Sequence, residues 1–99
     1  IKGIICHGLW LASPIAEVVR GRRLVCHNNL LGDARNMGAI YVDQDVVVDD
    51  DLVTARTGGH CHLFARKIID MMAERAARPA VAVPVTGSKI LTNVGWQSI

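Results

Sequence analysis

A cysteine, a histidine and a glycine stand directly after a short apolar run near the start of the chain. The run ends at Ile4 and Ile5, and Cys6, His7 and Gly8 follow it. A nucleophile on a sharp turn between a strand and a helix is exposed and lies beside backbone N–H donors. The positive end of the helix also favours a thiolate over a thiol. We therefore expect Cys6 to attack a carbonyl or aldehyde carbon, with the backbone N–H of His7 contributing to an oxyanion hole.

Two histidines are candidates for the base that a cysteine nucleophile requires. His7 follows the cysteine directly, and His27 follows residues 24–26, which we expect to form a short strand. A base must lie within hydrogen-bond reach of the proton that it takes. The residue pattern leaves open which histidine acts, and both could contribute. The alternative for each is a loop histidine that is hydrogen-bonded to the backbone.

Several other residues have side chains suited to chemistry but stand in patterns that do not favour it. Cys26 is expected to be a buried strand residue rather than a partner of the nucleophile, because free cysteine packs like a small hydrophobic residue. His60, Cys61 and His62 have the types of metal ligands, but neighbours one and two positions apart do not share a helix face. A zinc site also needs about four ligands. The aspartates at 49–51 lack the alternating ligands and distal glutamate of a calcium loop. We expect neither a metal nor a cofactor.

Composition limits the possible classes of protein. The chain has 99 residues, of which 51% are hydrophobic and 20% charged, so we expect one domain with a packed core. The net charge of +2 does not indicate a nucleic-acid or membrane partner. Its 3 cysteines form no C-x-x-C pair, which favours a reducing cytoplasm over a disulfide framework. Neither a signal peptide nor an apolar run long enough to span a membrane is visible.

The apolar periodicity predicts alternating strands and helices. We expect strands at 1–5 and 24–26, and helices at 8–20 and 30–37 that end at Gly21 and Gly38. Ser13 and Pro14 interrupt the first helix, so a kink is expected there, or two short helices with Ser13 capping the second.

The second half of the chain is predicted to hold a hairpin and a long helix. Strands are expected at 40–42 and 46–48, and 52–55 should pair back on 46–48 across a turn at 49–51. The helix at 60–77 should bury a face made of Phe64, Ile68, Met71 and Met72, and end at Pro79. This order of elements is a mixed α/β pattern.

The chain resembles the C-terminal half of the ThiJ/PfpI superfamily, which has the class I glutamine amidotransferase-like fold. The residues that carry the resemblance are Ile4 to Gly8, Gly21 to Arg23, Asp33, Asn36, Gly38, Tyr41 to Asp43, Val46 to Asp49, and Leu52 to Arg56. The match runs from Ile1 to about Met72. It implies a three-layer α/β sandwich with a mostly parallel, flavodoxin-like central sheet. Residues 1–78 would be the C-terminal part of such a domain, and residues 79–99 an extension outside the resemblance.

The resemblance also implies roles for the histidines. In PfpI-like proteases the histidine at the position of His7 is the proposed base, completed by an acid from a neighbouring subunit. His27 is similar in position to an active-site histidine of the deglycase branch. The loop at 58–62 departs from the Pro-Asp-Asp-type sequence that the family has there, and it is a candidate determinant of substrate choice.

Two parts of the family's site cannot be assigned in this chain. The family places a carboxylate that contacts the sulfur, and an oxyanion-hole glycine, in the N-terminal half. Without that half, the central strand would also expose a bare edge. We therefore expect an N-terminal half or a second polypeptide to complete the sheet and the site, and we expect a homo-oligomer.

These expectations combine into a cysteine-dependent enzyme of the ThiJ/PfpI type that acts on a small molecule or a peptide. Amidase or protease, glyoxalase or deglycase, and hydratase activities all fit the sequence. The alternative is a non-enzymatic redox sensor or chaperone that uses oxidation of Cys6 as a switch. A third possibility is an interaction module that kept the fold and lost the chemistry.

Overall fold

The first strand leads into a helix with no loop between them. The computed structural model describes residues 1–78, in which β1 (Lys2–Ile5) runs directly into a 3₁₀ helix (Cys6–Val18). The elements that follow are β2 (Arg23–Leu24), a 3₁₀ turn (Asn28–Leu30), α1 (Leu31–Asn36), β3 (Ile40–Tyr41), β4 (Val46–Asp49), β5 (Leu52–Ala55), a 3₁₀ turn (Gly58–His60) and α2 (Cys61–Ala77). The predicted extension at 79–99 and the helix end at Pro79 lie outside the described residues.

The strands form two small sheets. The larger has the order β1-β5-β4: β1 and β5 are parallel, with Lys2 opposite Leu52 and Ile5 opposite Ala55, and β4 and β5 form the predicted antiparallel hairpin. The smaller is a parallel pair of β2 and β3. Within residues 1–78, β1 therefore has a strand on one side only.

A buried hydroxyl joins the two sheets. Thr54 is fully buried, and its Oγ1 accepts a hydrogen bond from the backbone N–H of Val25 at 2.9 Å. The same hydroxyl donates to the carbonyl oxygen of Val47 on β4 at 3.3 Å. Thr54 is opposite Ile4 in the parallel register. The segment after β2 is thereby fixed beside the end of β1.

The helix after β1 has a different form from the one predicted, but the predicted kink is present. It is a 3₁₀ helix, and its non-helical residue is Ile15 (φ −132°, ψ 59°), immediately after Pro14. Ser13 does not cap a second helix, because its hydroxyl donates to the carbonyl oxygen of Trp10 at 2.8 Å. Proline lacks an N–H and crowds the preceding turn, so the backbone departs from helical geometry next to it. The helix ends at Val18, three residues before Gly21 (φ 72°), where the sequence predicted its end.

The same helix has two apolar faces. Leu9, Ala12 and Val19 are buried in the core, whereas Leu11 and Ile15 are 83% and 50% exposed. The exposed face lines an apolar groove along β1 together with Ile4, Ile5, Gly8 and Val18. The groove therefore lies between β1 and this helix.

The long helix packs on β1 at a glycine. A Cβ on Gly3 would lie 2.8 Å from Cδ1 of Ile68 and 2.9 Å from Cζ of Phe64, so the missing side chain lets α2 approach the strand. Phe64, Ile68 and Met71 are half-buried as predicted, but Met72 is 57% exposed and its assignment to the buried face was wrong. No helix in residues 1–78 is both long and apolar enough to cross a membrane.

Ion pairs connect the segments at the amino ends of the parallel strands. We call this edge of the molecule the turn end. Asp51 accepts hydrogen bonds from Lys2 Nζ and from Arg22 Nη2, the latter at 2.8 Å. Arg22 also donates to the carbonyl oxygen of Asp49. These two cations hold the pKa of the Asp51 carboxyl well below its usual range. The predicted turn at 49–51 is confirmed, with Asp50 at a positive φ of 54°.

Candidate active site

The carboxyl ends of the parallel strands lie at the opposite edge, which we call the site end. Cys6 follows β1, Arg56 follows β5, and His27 lies three residues after β2. The backbone N–H of His27 donates to the carbonyl oxygen of Cys6 at 3.2 Å, so the strand ends are in direct contact. Open α/β sheets bind ligands at this edge. The structure thus brings the predicted cysteine and both predicted histidines together.

Cys6 has a backbone conformation that side chains rarely adopt. Its φ is +61°, and among the described residues the only other non-glycine residue with a positive φ is Asp50. Aspartate tolerates this region, but for most residues it costs about 1–2 kcal/mol. Cys6 is half-buried, at the junction between strand and helix where the sequence predicted a nucleophile.

His7 contacts the cysteine sulfur. Its Nδ1 lies 3.2 Å from Sγ of Cys6, within hydrogen-bond range for sulfur. The thiol can donate to an unprotonated Nδ1, and a protonated Nδ1 can donate to a thiolate. The contact is therefore compatible with a thiol beside a neutral imidazole and with a thiolate beside a protonated imidazole.

His27 stacks on His7 but uses one ring nitrogen elsewhere. The ring centroids are 4.3 Å apart, with planes tilted by 31°. Nδ1 of His27 accepts a hydrogen bond from the backbone N–H of Asn29 at 3.1 Å. A neutral imidazole whose Nδ1 is an acceptor carries its proton on Nε2. In this arrangement Nε2 of a neutral His27 carries an N–H that can donate a hydrogen bond.

Trp10 borders His7 and is hydrogen-bonded to Asp33, and neither residue was predicted to have a role at the site. The Trp10 ring meets the His7 ring edge-on with centroids 5.3 Å apart, and its Nε1 donates to Oδ2 of Asp33 at 2.9 Å. Trp10 follows His7 by three residues, which is one turn of a 3₁₀ helix. That spacing was the available signal for the ring contact.

Cys26 is buried in the core as predicted, but it lies two residues after β2 and not in a strand. It is fully buried, and burial raises the pKa of its thiol to about 11, with the Asp33 charge adding to the effect and Arg56 opposing it. A thiol with so high a pKa is almost entirely protonated at neutral pH. Cys26 is therefore a poor nucleophile despite its place next to His27.

Arg56 forms a polar network that the sequence analysis did not predict. Its guanidinium donates to Oδ1 of Asp43 at 2.8 Å, to the Tyr41 hydroxyl at 3.0 Å and to Oδ1 of Asn28 at 3.2 Å. It also pairs with Asp45 at 3.5 Å. Partial burial opposes the charge, but the hydrogen bond to Asp43 and the nearby negative groups outweigh it and raise the pKa of Arg56.

The cluster at 60–62 is dispersed. His60 is half-buried, with Nδ1 3.0 Å from Oγ1 of Thr57 and Nε2 3.4 Å from Oδ1 of Asp45. Cys61 and His62 are exposed on α2. Among residues 1–78, no group of three or more His, Cys, Asp or Glu side chains is arranged to hold a metal ion.

The chain is similar in sequence to proteins of one known family. The profile of the DJ-1/PfpI family matches residues 2–71. Protein/nucleic acid deglycase 2 of Escherichia coli is 42% identical over 69 residues, which cover 69% of this chain and 40% of that protein. A deglycase of Pyrococcus abyssi is 34% identical over 68 residues, again covering 69% of this chain and 40% of the relative. The chain thus spans about two fifths of the length of these curated relatives.

Solved structures confirm the predicted α/β fold class. A two-domain protein of Anabaena variabilis, with DJ-1/ThiJ/PfpI-like and ferritin-like domains, superposes with a TM-score of 0.68 at 28% identity, over 79% of this chain and 22% of that one. A ThiJ/PfpI domain protein of Brachyspira murdochii superposes with a TM-score of 0.70 at 19% identity, over 75% of this chain and 42% of that one. The chain therefore matches only part of each of these larger structures.

Proposed function

This chain belongs to the DJ-1/PfpI family, and on that basis we propose that it is the cysteine-bearing part of a deglycase-like enzyme with Cys6 as the nucleophile. The observation that carries the proposal is the combination of a positive φ at Cys6 with an imidazole nitrogen 3.2 Å from its sulfur. Strained backbone at a residue with a reactive side chain motivates a functional hypothesis. The relatives named as deglycases favour this reaction class over amidase, protease and hydratase activities.

The two histidines are proposed to divide the proton transfers. His7 takes the thiol proton at Nδ1, and the thiolate sulfur forms a bond to the carbonyl carbon of the substrate while the π electrons of that carbonyl move to its oxygen. His27 donates a hydrogen bond from Nε2 to the oxyanion that forms. The hydrogen bond from Asn29 to Nδ1 supports this role, because it places the His27 proton on the other nitrogen.

The substrate class follows from the relatives and from the nucleophile. We infer a glycated amine on a peptide or small molecule, whose sugar-derived carbonyl carbon is the point of attack. The half-buried sulfur beside Trp10 and the histidines fits an extended group that reaches the site end from solvent. No cofactor takes part in this proposal.

Residues beyond this chain are proposed to complete the sheet and the site. β1 has one open side within residues 1–78, and the exposed apolar groove beside it contains Leu11 and Ile15. A further strand there, from an N-terminal half or a second polypeptide, would cover the groove. It would also bring an acid and an oxyanion-hole donor to Cys6. Hydrogen exchange in the complete protein tests this: every β1 amide should be protected, and fast exchange at alternate residues would contradict it.

Turnover by cysteine variants tests the function. The complete protein, expressed with whatever sequence precedes Ile1 in its gene, is assayed on a glycated peptide, a reactive aldehyde and a simple amide. Cys6→Ser should lower turnover of the glycated peptide by at least about 10³-fold, because the nucleophile is lost. Cys61→Ser, which removes an exposed thiol on α2, should retain it.

Two results would overturn the proposal. The first is a Cys6→Ser variant that keeps the wild-type rate. The second is a wild-type protein that turns over none of the three substrates while mild peroxide oxidises Cys6 reversibly, which would establish the redox sensor instead.

A further inference from the structure

We propose that Arg56 is a positioning residue that clamps Asn28 and thereby holds His27 in its donor form beside the nucleophile. This inference rests on the proposed function, because it assigns a purpose to the orientation of His27. Among the described residues, Arg56 forms no hydrogen bond with Cys6, His7 or His27.

Arg56 is rigidly held on its own side. It directly follows β5, whose last residue Ala55 is opposite Ile5, and its backbone N–H donates to the carbonyl oxygen of Asp45 at 3.0 Å. Its side chain is 17% exposed and is bound by Asp43 and Asp45. A planar guanidinium with several fixed partners has little freedom to rotate, so its remaining N–H directions are defined.

One of those directions points at the loop that carries His27. Nη1 of Arg56 donates to Oδ1 of Asn28 at 3.2 Å and to the hydroxyl of Tyr41 at 3.0 Å. Asn28 is exposed and is the first residue of the 3₁₀ turn Asn28–Leu30. Leu30 anchors the inner side of this turn in the core. Arg56 anchors the outer side, with a longer hydrogen bond of 3.5 Å from the Tyr41 hydroxyl to the same Oδ1 of Asn28.

The 3₁₀ turn Asn28–Leu30 then determines which nitrogen of His27 carries the proton. His27 caps the turn, and its Nδ1 accepts the N–H of Asn29. If Asn28 is released, the outer side of the turn is held less firmly. Water then competes with the Asn29 N–H for Nδ1 of His27. The proton of His27 is then free to occupy either nitrogen, and the ring no longer presents Nε2–H consistently over the site.

The experiment measures the His27 tautomer directly. Nitrogen-15 NMR of the complete protein, labelled at histidine, is recorded for wild type, Arg56→Gln, Asn28→Ala and Asn28→Asp. We expect one tautomer with a protonated Nε2 in wild type, and a mixture in Arg56→Gln and Asn28→Ala. Asn28→Asp should retain the wild-type signal, because a carboxylate still accepts from Arg56. Asn28 is exposed, so its variants report on the clamp even if Arg56→Gln does not fold.

Arg22→Gln is the matched control. Arg22 is also a half-buried arginine with carboxylate partners, but it lies at the turn end. It should leave the His27 signal unchanged. Turnover should fall roughly tenfold in Asn28→Ala and stay near wild type in Asn28→Asp, because a displaced proton donor loses part of its contribution.

The outcomes separate this inference from the function beneath it. Identical His27 spectra in wild type, Arg56→Gln and Asn28→Ala would overturn the clamp while leaving the nucleophile untouched. An equal change in Arg22→Gln would also overturn it, because the effect would then be general destabilisation. Absence of turnover in wild type would overturn the proposed function, and the spectra would still decide whether the clamp exists.

Discussion

The site end and the turn end of the parallel strands share two structural features that have different roles. Each has one non-glycine residue with a positive φ, Cys6 at the site end and Asp50 at the turn end. Each has a half-buried arginine among carboxylates, Arg56 and Arg22 respectively. At the turn end the partners of the arginine are a tight turn that closes a hairpin. At the site end they extend to an exposed asparagine and from there to a histidine beside a thiol.

The difference shows how function can be read from backbone strain. Aspartate tolerates a left-handed conformation in a turn, so Asp50 is explained by the hairpin that it closes. Cysteine has no such local reason, and the conformation of Cys6 is instead held by the surrounding sheet. A positive φ is thus explained by a turn at one end and points to chemistry at the other.

Substitution of the two histidines at the site end is expected to give the largest effect in this comparison, a loss of turnover. His7→Gln should lower turnover of the glycated substrate by about 10²-fold or more, because its Nδ1 contacts the sulfur. His27→Gln should cost roughly tenfold, since it removes a donor and not the base. Steady-state kinetics of the complete protein measure both. His62→Gln, at an exposed position of α2, is the control, and a larger loss for His27→Gln than for His7→Gln would reverse the assigned roles.

A smaller effect compares the two positive-φ residues in stability. Cys6→Gly should be more stable than Cys6→Ala by roughly 1 kcal/mol, because glycine adopts φ +61° without the steric cost. Cys6→Gly should also be more stable than wild type, although it is inactive. Denaturant unfolding of the complete protein gives these differences.

The other end supplies the control for that measurement. Asp50→Gly should stay close to wild type, because aspartate already tolerates its conformation. If Asp50→Gly gained as much stability as Cys6→Gly, the strain at the site end would not be special.

The smallest effect concerns the turn end and acid. The pKa of Asp51 is lowered in the folded state by Lys2 and Arg22, so its contribution to stability is present above the ordinary carboxyl pKa of about 4 and is lost as the pH falls. Asp51→Asn should therefore flatten the decline of melting temperature below about pH 4. The effect should be small, since these ion pairs are partly exposed to solvent.

Its neighbour provides the comparison. Asp50 has no ion-pair partner within 4.0 Å among the described residues, and Asp50→Asn should keep the wild-type pH profile. A flattening of equal size in both variants would show that the turn, and not the Asp51 ion pairs, responds to acid.

Local patterns were enough to predict most of the fold. The strand before Cys6, the hairpin around 49–51 and the helix that begins near residue 60 all follow from apolar periodicity and turn residues within a few positions. The place of Cys6 between a strand and a helix was predicted for the same reason, because the three are adjacent in sequence. Both histidines were also identified, one by adjacency and one by the strand before it.

Contacts between distant residues account for what was not predicted. Arg56 meets Asn28 across 28 positions and Trp10 meets Asp33 across 23, and neither pairing leaves a local signal. The 3₁₀ form of the first helix was also missed, because over so short a segment its spacing resembles that of an α-helix. Apolar spacing also does not say which surface covers a helix face, and Leu11 and Ile15 are exposed although they recur at helical spacing.

The buried hydroxyl of Thr54 has a consequence for tuning. It is opposite Ile4, two residues before the nucleophile, and it binds the N–H of Val25, two residues before His27. Together with the hydrogen bond from the His27 N–H to the Cys6 carbonyl oxygen, this hydroxyl fixes the spacing between the segments that carry Cys6 and His27. Valine at this position would keep the shape of the core but leave that N–H without a partner. The separation of sulfur and imidazole is thus adjustable from a position that no substrate can reach, so changes in rate can arise without any change in the pocket wall.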